Sequence, residues 1–391
     1  MGFDAIWISP IPENFAGAYH GYAFKNLYNL NPFFGTEADF KELIAEAHKR
    51  NIWIMVDVVM NHAGCLFSPD TYGSVHPFNK EEHYHKECYI NNWQNQWEVE
   101  NCRLACLIDL KQEDPWVEET LLKWAWDIID KYDIDGFRVD TIPEVPKWFW
   151  TEFTSRTKVY SVGEVLNGNV DYVSDYQHHI PALLNYPLWY TLNDVYGYEG
   201  SMWKIRDIIE LNWRKFKDVN ALGVFMDNHD NAWFLSRNPD WNHLSSFIAF
   251  TMFVEGIPIF YYGTEQAFNG GNDPANREPL WTHMDKNHAL YKFTKICVET
   301  RKKHKVWDCP HIERFAETNL FAFSWCDVLI VTTNSRKEVS HTIGYHPYKV
   351  GQKVCNVFDH KECLTVESTG LKVTIKDMTV KVWVPEETLT S

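Results

Sequence analysis

The sequence predicts an α/β protein built on a parallel sheet and followed by a separate antiparallel β domain. Over the first three quarters of the chain, short apolar runs alternate with amphipathic helices, a pattern typical of parallel sheets. From about Glu313 onward the helices stop and strand-like runs follow one another. A length of 391 residues is also more than one hydrophobic core usually serves, which favours a large domain with a smaller one.

Local signals predict the helices and strands of the first part. Thr36 and Asp39 form a pair like a capping box before a helix whose apolar residues recur at i, i+3, i+4 and i+7. Asp114 and Pro115 suit the N-cap and first position of a second helix. Apolar runs predict strands at 3–8, 52–59, 136–139, 159–162, 222–226 and 257–261. We expect the first of these strands to be buried. The last is also expected to be buried, and a buried helix is expected to precede it in the chain.

Two regions depart from this alternation. Residues 63–108 are polar, rich in His, Asn and Cys, and too long for an ordinary loop, so they are predicted to form an inserted subdomain. Residues 320–325, 328–333, 371–376 and 380–384 are predicted strands of the C-terminal domain. The predicted organisation is a main domain of residues 1–62 and 109–312, an insert of residues 63–108 and a β domain of residues 313–391.

Composition and charge argue against several classes of partner. The chain has 37 Lys and Arg against 53 Asp and Glu, a net charge of −16 that repels nucleic acids and anionic membrane surfaces. No apolar run reaches the roughly 20 residues that a membrane span needs. Trp, Tyr and Phe make up 16% of the chain, and their flat rings with polar edges suit sugar faces as well as a Trp-rich core.

Acidic residues stand at the ends of four predicted strands. The four are Asp57, Asp140, Glu164 and Asp230. The carboxyl ends of parallel strands meet at one mouth, where chemistry gathers in α/β barrels. A single Asp at a strand end is usually a helix cap or a loop hydrogen-bonder. Four carboxylates with His62 and His229 beside them instead indicate catalysis or a bound cation, because grouped carboxylates repel one another.

Four segments carry a resemblance to a known family. They are DVVMNH at 57–62, GFRVD at 136–140, GEV at 163–165 and FMDNHD at 225–230. In order and spacing they resemble the signature regions of the α-amylase family, glycoside hydrolase family thirteen, and most nearly its fungal members. Supporting segments are AYHGY at 18–22, LNYP at 184–187 and GGNDPANRE at 270–278. The resemblance covers nearly the whole chain and implies a (β/α)8 TIM barrel with an insert and a C-terminal β domain.

The resemblance implies a role for each carboxylate of the site. Asp140 corresponds to the nucleophile, Glu164 to the general acid/base and Asp230 to a third carboxylate that steadies the transition state. A glycosidic bond breaks through a cationic state, which needs a proton donor on one side of the sugar and an anion on the other. Arg138 lies on the same strand face as Asp140 and can hold it ionised. Neighbouring carboxylates would favour a protonated Glu164 by like-charge repulsion.

The resemblance also implies substrate contacts and a calcium ion. The implied substrate-binding residues are His20, Tyr22, His62, Arg138, His229, Asp273 and Arg277. The implied Ca²⁺ ligands are Asn61, Glu100, Asp109 and the backbone carbonyl of Glu144, and such hard oxygen atoms suit Ca²⁺. His83 and His85 could form half of a zinc site, but no partner pair follows at finger spacing, so we expect a solvated loop there.

Nine cysteines leave at least one free thiol. The resemblance implies a disulfide between Cys88 and Cys102, which indicates a secreted protein or another oxidising compartment. Cys355 and Cys363 flank a short turn and could also pair. The other five cysteines match no framework that we recognise. Residues 1–7 lack the basic region and cleavage site of a secretion signal.

The resemblance implies a monomeric, retaining hydrolase that cuts internal α-1,4 bonds of starch, glycogen or maltooligosaccharides. The alternatives are a transglycosylase or α-glucosidase of the same superfamily, and a binding protein that has lost catalysis. Pro143 and Glu144 replace a Lys-His pair of the fungal members, and Ala23 replaces an aromatic residue, so the sugar subsites are expected to differ. The family places one strand and one helix before the segment that opens here, so we expect an N-terminally truncated barrel with about seven strands.

Overall fold

Parallel strands form the framework of the first two thirds of the chain. The computed structural model describes residues 1–66 and 69–389. Five strands form one parallel sheet whose spatial order follows chain order: Ala5–Ile8, Trp53–Val58, Gly136–Val139, Tyr160–Gly163 and Ala182–Leu183. Gly223–Phe225 and Ile257–Ile259 form a second parallel pair. The six strands predicted for this part are present, and Ala182–Leu183 is an additional one.

Parallel strands need long connections, and helices supply most of them. The α-helices before the C-terminal strands are Glu37–His48, Gln96–Asn101, Pro115–Tyr132, Lys147–Thr157, Val170–Tyr176, Tyr186–Leu192, Trp203–Lys215, Phe234–Arg237, Trp241–Phe253 and Ala289–Lys303. Strand order and helix position together give consecutive βαβ units, which place the carboxyl ends of neighbouring strands side by side.

The predicted helix starts are confirmed by their caps. The backbone N–H of Asp39 donates to Thr36 Oγ1 at 3.2 Å, and the N–H of Thr36 donates to Asp39 Oδ2 at 2.7 Å, which completes the capping box. Asp114 Oδ1 accepts from the N–H groups of Trp116 and Val117 at 2.9 and 3.2 Å, with Pro115 in the first position of the helix. These signals are local, so the sequence suffices to find them.

Two strands are more exposed than the sequence predicts. Gly136–Val139 is buried at every position, because it has a neighbour on each side. In contrast, Ile6 is 45% exposed and Ile257 is 42% exposed. The expectation that their strands are buried is therefore wrong, although the helix Trp241–Phe253 is buried as predicted. Each of the two strands lies at the edge of its sheet among the described residues, and an apolar run does not reveal which strands become edges.

The insert is joined at its base by a short antiparallel pair. His62–Cys65 pairs with Leu107–Asp109, so that His62 faces Asp109 and Cys65 faces Leu107. A disulfide that the sequence did not predict, Cys65–Cys106, closes the same base, and Cys88–Cys102 closes a loop within the insert. A further antiparallel pair, Pro12–Asn14 with Phe24–Leu30, precedes the insert.

The C-terminal strands are antiparallel, as predicted, and they form a six-stranded sheet and a second, two-stranded sheet. In spatial order the six-stranded sheet contains Ile312–Glu317, Leu320–Trp325, Val328–Thr333, Val380–Pro385, Lys353–Asn356 and Asp359–Thr365. Val339–Ile343 pairs with Leu371–Ile375, and the helix Glu386–Leu389 follows the last strand. Leu320, Leu329 and Trp383 of the first sheet and Leu371 of the second share one buried hydrophobic core. Disulfides Cys309–Cys326 and Cys355–Cys363 also lie in this region.

The chain forms two compact units. One comprises residues 3–166 and 171–184, and the other comprises residues 1–2, 167–170 and 185–391. The insert belongs to the first unit and the C-terminal strands to the second. The division into main domain, insert and β domain stays a prediction. In the part of the chain that the structure describes, no helix has the length and apolar character needed to cross a bilayer.

Candidate active site

Three acidic residues meet at the carboxyl ends of neighbouring strands in the first unit. The register aligns Asp57 with Arg138, and Val139 with Gly163, so Asp140 and Glu164 each directly follow their strands. The backbone continues the ladder there, because the N–H of Asp140 donates to Val58 at 3.0 Å and that of Glu164 donates to Val139 at 2.8 Å. The sequence-based expectation of carboxylates at adjacent strand ends is confirmed for Asp57, Asp140 and Glu164.

Arg138 contacts all three of these carboxylates. Its side chain is 1% exposed, and Nη1 donates to Asp140 Oδ1 at 2.6 Å and to Asp57 Oδ2 at 3.1 Å. Nη2 lies 2.9 Å from Glu164 Oε2. A planar guanidinium presents several donors in a fixed fork, so one side chain can fix three carboxylates in one arrangement. The contact between Arg138 and Glu164 was not predicted from the sequence.

Asp57 has a positioning role that its place at a strand end did not predict. It is fully buried, and its Oδ2 also accepts from Tyr22 Oη at 2.6 Å and from Trp7 Nε1 at 3.2 Å. Burial raises the pKa of Asp57 to about 7, although Arg138 and Tyr22 oppose the rise. Trp7 pairs with Met55, which places it on the face of Asp57, but that signal requires the strand register. The buried carboxylate of Asp57 therefore orients the side chains of Tyr22 and Arg138 through its hydrogen bonds.

Three predicted sugar-binding residues lie near one another in the same unit. The rings of His20 and Tyr22 stack with centroids 6.1 Å apart. His62 Nε2 lies 3.0 Å from the carbonyl oxygen of Tyr22. Burial lowers the pKa of His62, which favours a neutral imidazole. His20, Tyr22 and His62 thus form one cluster with Asp57.

The second unit contains the remaining predicted catalytic and sugar-binding residues. His229 Nε2 lies 3.5 Å from Asp230 Oδ2, and Arg277 Nη2 lies 3.7 Å from Asp230 Oδ1. Arg277 Nε is 3.0 Å from Asp273 Oδ1 and donates to the carbonyl of His229 at 3.1 Å. Asp227 supports this loop, since its buried carboxylate accepts from the N–H of Phe234 and the hydroxyl of Thr264 at 2.8 and 3.0 Å. Burial raises the pKa of Asp227 to about 6.

Three of the predicted calcium ligands converge in the first unit. The side-chain amide of Asn61 lies 3.0 Å from Asp109 Oδ1 and 3.1 Å from the carbonyl oxygen of Glu144. With the amide oxygen facing these two atoms, three oxygen atoms of the kinds that Ca²⁺ prefers surround one point. Glu100 Oε1 accepts from Gln96 Nε2 at 2.8 Å, and the same amide group donates to the carbonyl of Pro143 at 2.9 Å. The residues present therefore fit a hard cation.

The expectation of a solvated loop around His83 and His85 is wrong. His83 is 6% exposed and stacks on Trp116 with ring centroids 4.4 Å apart. His85 Nδ1 lies 2.7 Å from Asp109 Oδ2, and its Nε2 lies 2.9 Å from Glu113. The partners of both histidines come from outside the local stretch, which is why local polarity predicted their burial wrongly.

The cysteines form four disulfides and leave one buried thiol, Cys297, among the described residues. The disulfide Cys88–Cys102, which the resemblance implied, is present, and Cys355 and Cys363 also pair. Cys65–Cys106 spans 41 positions and Cys309–Cys326 spans 17, and neither spacing has a local signal. Four disulfides fit an oxidising compartment.

Consecutive βαβ units with three carboxylates around a buried arginine at the strand ends are compatible with a barrel-type glycoside hydrolase. A family model described as "Alpha amylase, catalytic domain" matches residues 1–308. The α-amylase of Saccharomycopsis fibuligera is 35% identical, with 98% of this chain and 82% of that protein covered. α-Amylase 1 of Schwanniomyces occidentalis is 34% identical, with 100% and 81% covered. The chain spans only 33% of the β/α-amylase of Paenibacillus polymyxa, which is 34% identical to it.

The solved structure of an α-amylase from Malbranchea cinnamomea superposes with a TM-score of 0.94 at 35% identity, covering 100% of this chain and 87% of that one. The chain therefore belongs to the α-amylase family, and it has the TIM-barrel fold class with a C-terminal antiparallel β domain. It is a glycoside hydrolase, as the resemblance implied, and its family is generally calcium-binding.

Arg138→Met should be strongly destabilising, because it leaves three buried carboxylates without their cation. We expect the free energy of unfolding at neutral pH to fall by about 3–5 kcal/mol, as measured by urea denaturation. In the variant, loss of the Arg138 charge leaves the burial of Asp57 unopposed and raises its pKa further above the unfolded value, so the folded state binds more protons. The loss should therefore shrink as the pH falls from about 7 to about 5.

Arg156→Met is the matched control. Arg156 is 38% exposed and pairs with Glu119 at 2.6 Å on the surface, so its loss should cost less than about 1 kcal/mol at either pH. Equal losses in the two variants would contradict a special role for Arg138.

Proposed function

We propose that this chain is a retaining, endo-acting α-amylase that hydrolyses internal α-1,4-glucosidic bonds of starch, glycogen and maltooligosaccharides. The observation that carries the proposal is the contact of Arg138 with both Asp140 and Glu164 at adjacent strand ends, in a chain of the α-amylase family. One guanidinium on two carboxylates keeps them close, and retaining glycosidases need their two carboxyl groups at about 5–5.5 Å.

Asp140 is the proposed nucleophile. The 2.6 Å hydrogen bond from Arg138 stabilises its anion and restrains the orientation of the carboxylate. Asp140 attacks the anomeric carbon as the glycosidic bond breaks, forming a covalent glycosyl ester with inversion at that carbon. Water then displaces Asp140 with a second inversion, so the product keeps the α configuration.

Glu164 is the proposed general acid and base. It gives a proton to the leaving glycosidic oxygen in the first step and takes one from the attacking water in the second. The contact of Arg138 with Oε2 orients the Glu164 carboxyl group for both proton transfers. Asp230 is the proposed third carboxylate, which stabilises positive charge on the sugar ring.

The proposed sugar contacts follow from the side chains available in each unit. Tyr22 offers a ring face whose hydroxyl is anchored on Asp57, so its orientation is set before substrate binds. Hydrogen bonds to sugar hydroxyls are proposed for the polar residues His20, His62, Arg138, His229, Asp273 and Arg277.

Asp140→Asn and Glu164→Gln should each abolish measurable starch hydrolysis while leaving the melting temperature near that of the parent. Each change keeps the shape of the side chain but removes an essential charge or proton. Reducing-end release and iodine staining measure turnover, and product chromatography on maltoheptaose distinguishes hydrolysis from transglycosylation or stepwise removal of glucose. Substantial turnover by either variant would reject its assigned role.

Calcium is proposed to bind Asn61, Glu100, Asp109 and the carbonyl of Glu144. These residues come from the segment just before the insert, from the insert, from the position directly after it and from the turn that follows Asp140. A bound ion would supply a structural cross-link between them rather than chemistry. The burial of Asp109, which is 2% exposed, supports a role inside the fold.

Removal of Ca²⁺ should lower Tm and activity together, since a ligand that binds only the folded state stabilises it by about 4 kcal/mol at a thousandfold excess over Kd. Calorimetry and starch hydrolysis after chelation, and again after Ca²⁺ is restored, measure both effects. Asp109→Asn should weaken the response of Tm to Ca²⁺. A chelator without effect on Tm, together with no Ca²⁺ in metal analysis, would overturn the assignment.

The proposed setting is a secreted monomer. Four disulfides support an oxidising environment for the folded chain. The net charge of −16 supports a neutral polymer as substrate rather than a polyanion.

A further inference from the structure

A cavity of about 1100 Å3 opens on the insert. Among the described residues that line it, none is a proposed catalytic, sugar-binding or calcium-binding residue. Its volume slightly exceeds the range of about 300–1,000 Å3 that is usual for small-molecule sites, so an oligomeric ligand can enter. The cavity is therefore a candidate for a second ligand.

Four aromatic rings contribute to the cavity wall. The rings are those of Tyr72, Tyr84, Tyr89 and Trp97. Trp97 is 64% exposed and Tyr89 is 46% exposed, so large apolar faces remain in contact with water. Rings that combine an apolar face with a polar edge suit sugars, whose faces are apolar and whose rims carry hydroxyls.

The two exposed rings are held by fixed elements. Tyr89 Oη donates to Glu87 Oε1 at 2.8 Å, which restrains its ring. Trp97 lies in the helix Gln96–Asn101, and the disulfide Cys88–Cys102 joins the residue before Tyr89 to the residue after that helix. Little ordering is thus needed when a ligand binds, which favours affinity.

The charges around the cavity favour a neutral ligand. Three acidic side chains, Glu81, Glu82 and Glu87, are balanced by Lys86, Arg103 and Lys111. The Arg103 guanidinium lies 3.5 Å from Glu87 and donates to the hydroxyl of Tyr72 at 3.4 Å. His85, which also lines the cavity, is paired with Asp109 and Glu113. A wall with many donors and acceptors but no excess charge selects neither phosphates nor cations.

We propose that this cavity is a second binding site for an α-glucan chain, separate from the site of cleavage, with Tyr89 and Trp97 as its stacking platform. The ligand class rests on the proposed function. A second site on the same subunit raises the effective concentration of a long polymer, so it should matter for starch and glycogen but not for short oligosaccharides.

The test compares Tyr89→Ala/Trp97→Ala with its parent. Migration through gels containing glycogen, and sedimentation with starch granules, measure polymer binding; kcat/KM on maltopentaose measures cleavage. The double variant should bind glycogen about tenfold more weakly, because two exposed aromatic anchors are lost. Its kcat/KM on maltopentaose should stay within about twofold of the parent value.

Trp126→Ala is the matched control, since Trp126 is 49% exposed on the helix Pro115–Tyr132 and should change neither quantity. Trp97→Ala alone gives an independent check if the double variant folds poorly. Repeating the gel experiment in Glu164→Gln separates the two proposals, because binding at the cavity does not need turnover. Unchanged glycogen binding in the Tyr89 and Trp97 variants would overturn the inference, as would a parallel loss of maltopentaose cleavage.

Discussion

One buried cation organises the candidate site: the guanidinium of Arg138, in contact with Asp57, Asp140 and Glu164. Three carboxylates around one guanidinium leave an excess of negative charge in a place with little water. Such an arrangement is costly unless geometry and hydrogen bonding are good. Here the geometry is good, because the register of three parallel strands places Arg138 and the three carboxylates side by side at the strand ends.

Burial divides the three carboxylates into different tasks. Asp57 is fully buried, so it holds Tyr22 and Arg138 and cannot meet a substrate. The side chains of Asp140 and Glu164 keep 11% and 10% of their surface exposed, enough for a reacting atom to approach.

Glu144, which stands where the fungal members of the family have a histidine, is buried and only 8% exposed. Burial, and secondarily the nearby charge of Asp140, raise the pKa of Glu144 to about 8, which favours a protonated side chain at neutral pH.

The predictable features of this protein are those with local signals. The capping box at Thr36, the cap at Asp114 and the apolar run 136–139 each lie within a few residues of chain, and the structure confirms them. The grouping of acidic residues was also predictable, because they follow successive parallel strands whose carboxyl ends lie side by side. Ala182–Leu183 was missed because two residues carry no periodicity.

Other features depend on contacts between distant parts of the chain. The disulfide Cys65–Cys106 requires the antiparallel pairing of two segments about 41 positions apart. The partners of His85 become visible only when Asp109 and Glu113 are brought beside it. The contact of Arg138 with Glu164 depends on the register of adjacent strands. The sequence motifs therefore predicted the residues of the site but not the contacts between them.

The stereochemistry of the first product tests the central claim most directly. If Arg138 holds Asp140 and Glu164 as a nucleophile and an acid/base, each cleavage of maltoheptaose proceeds through two inversions. Proton NMR in the first minutes of reaction, before mutarotation, should then show the α-anomer at the new reducing ends. Initial formation of the β-anomer would mean a single displacement by water, and would contradict the account.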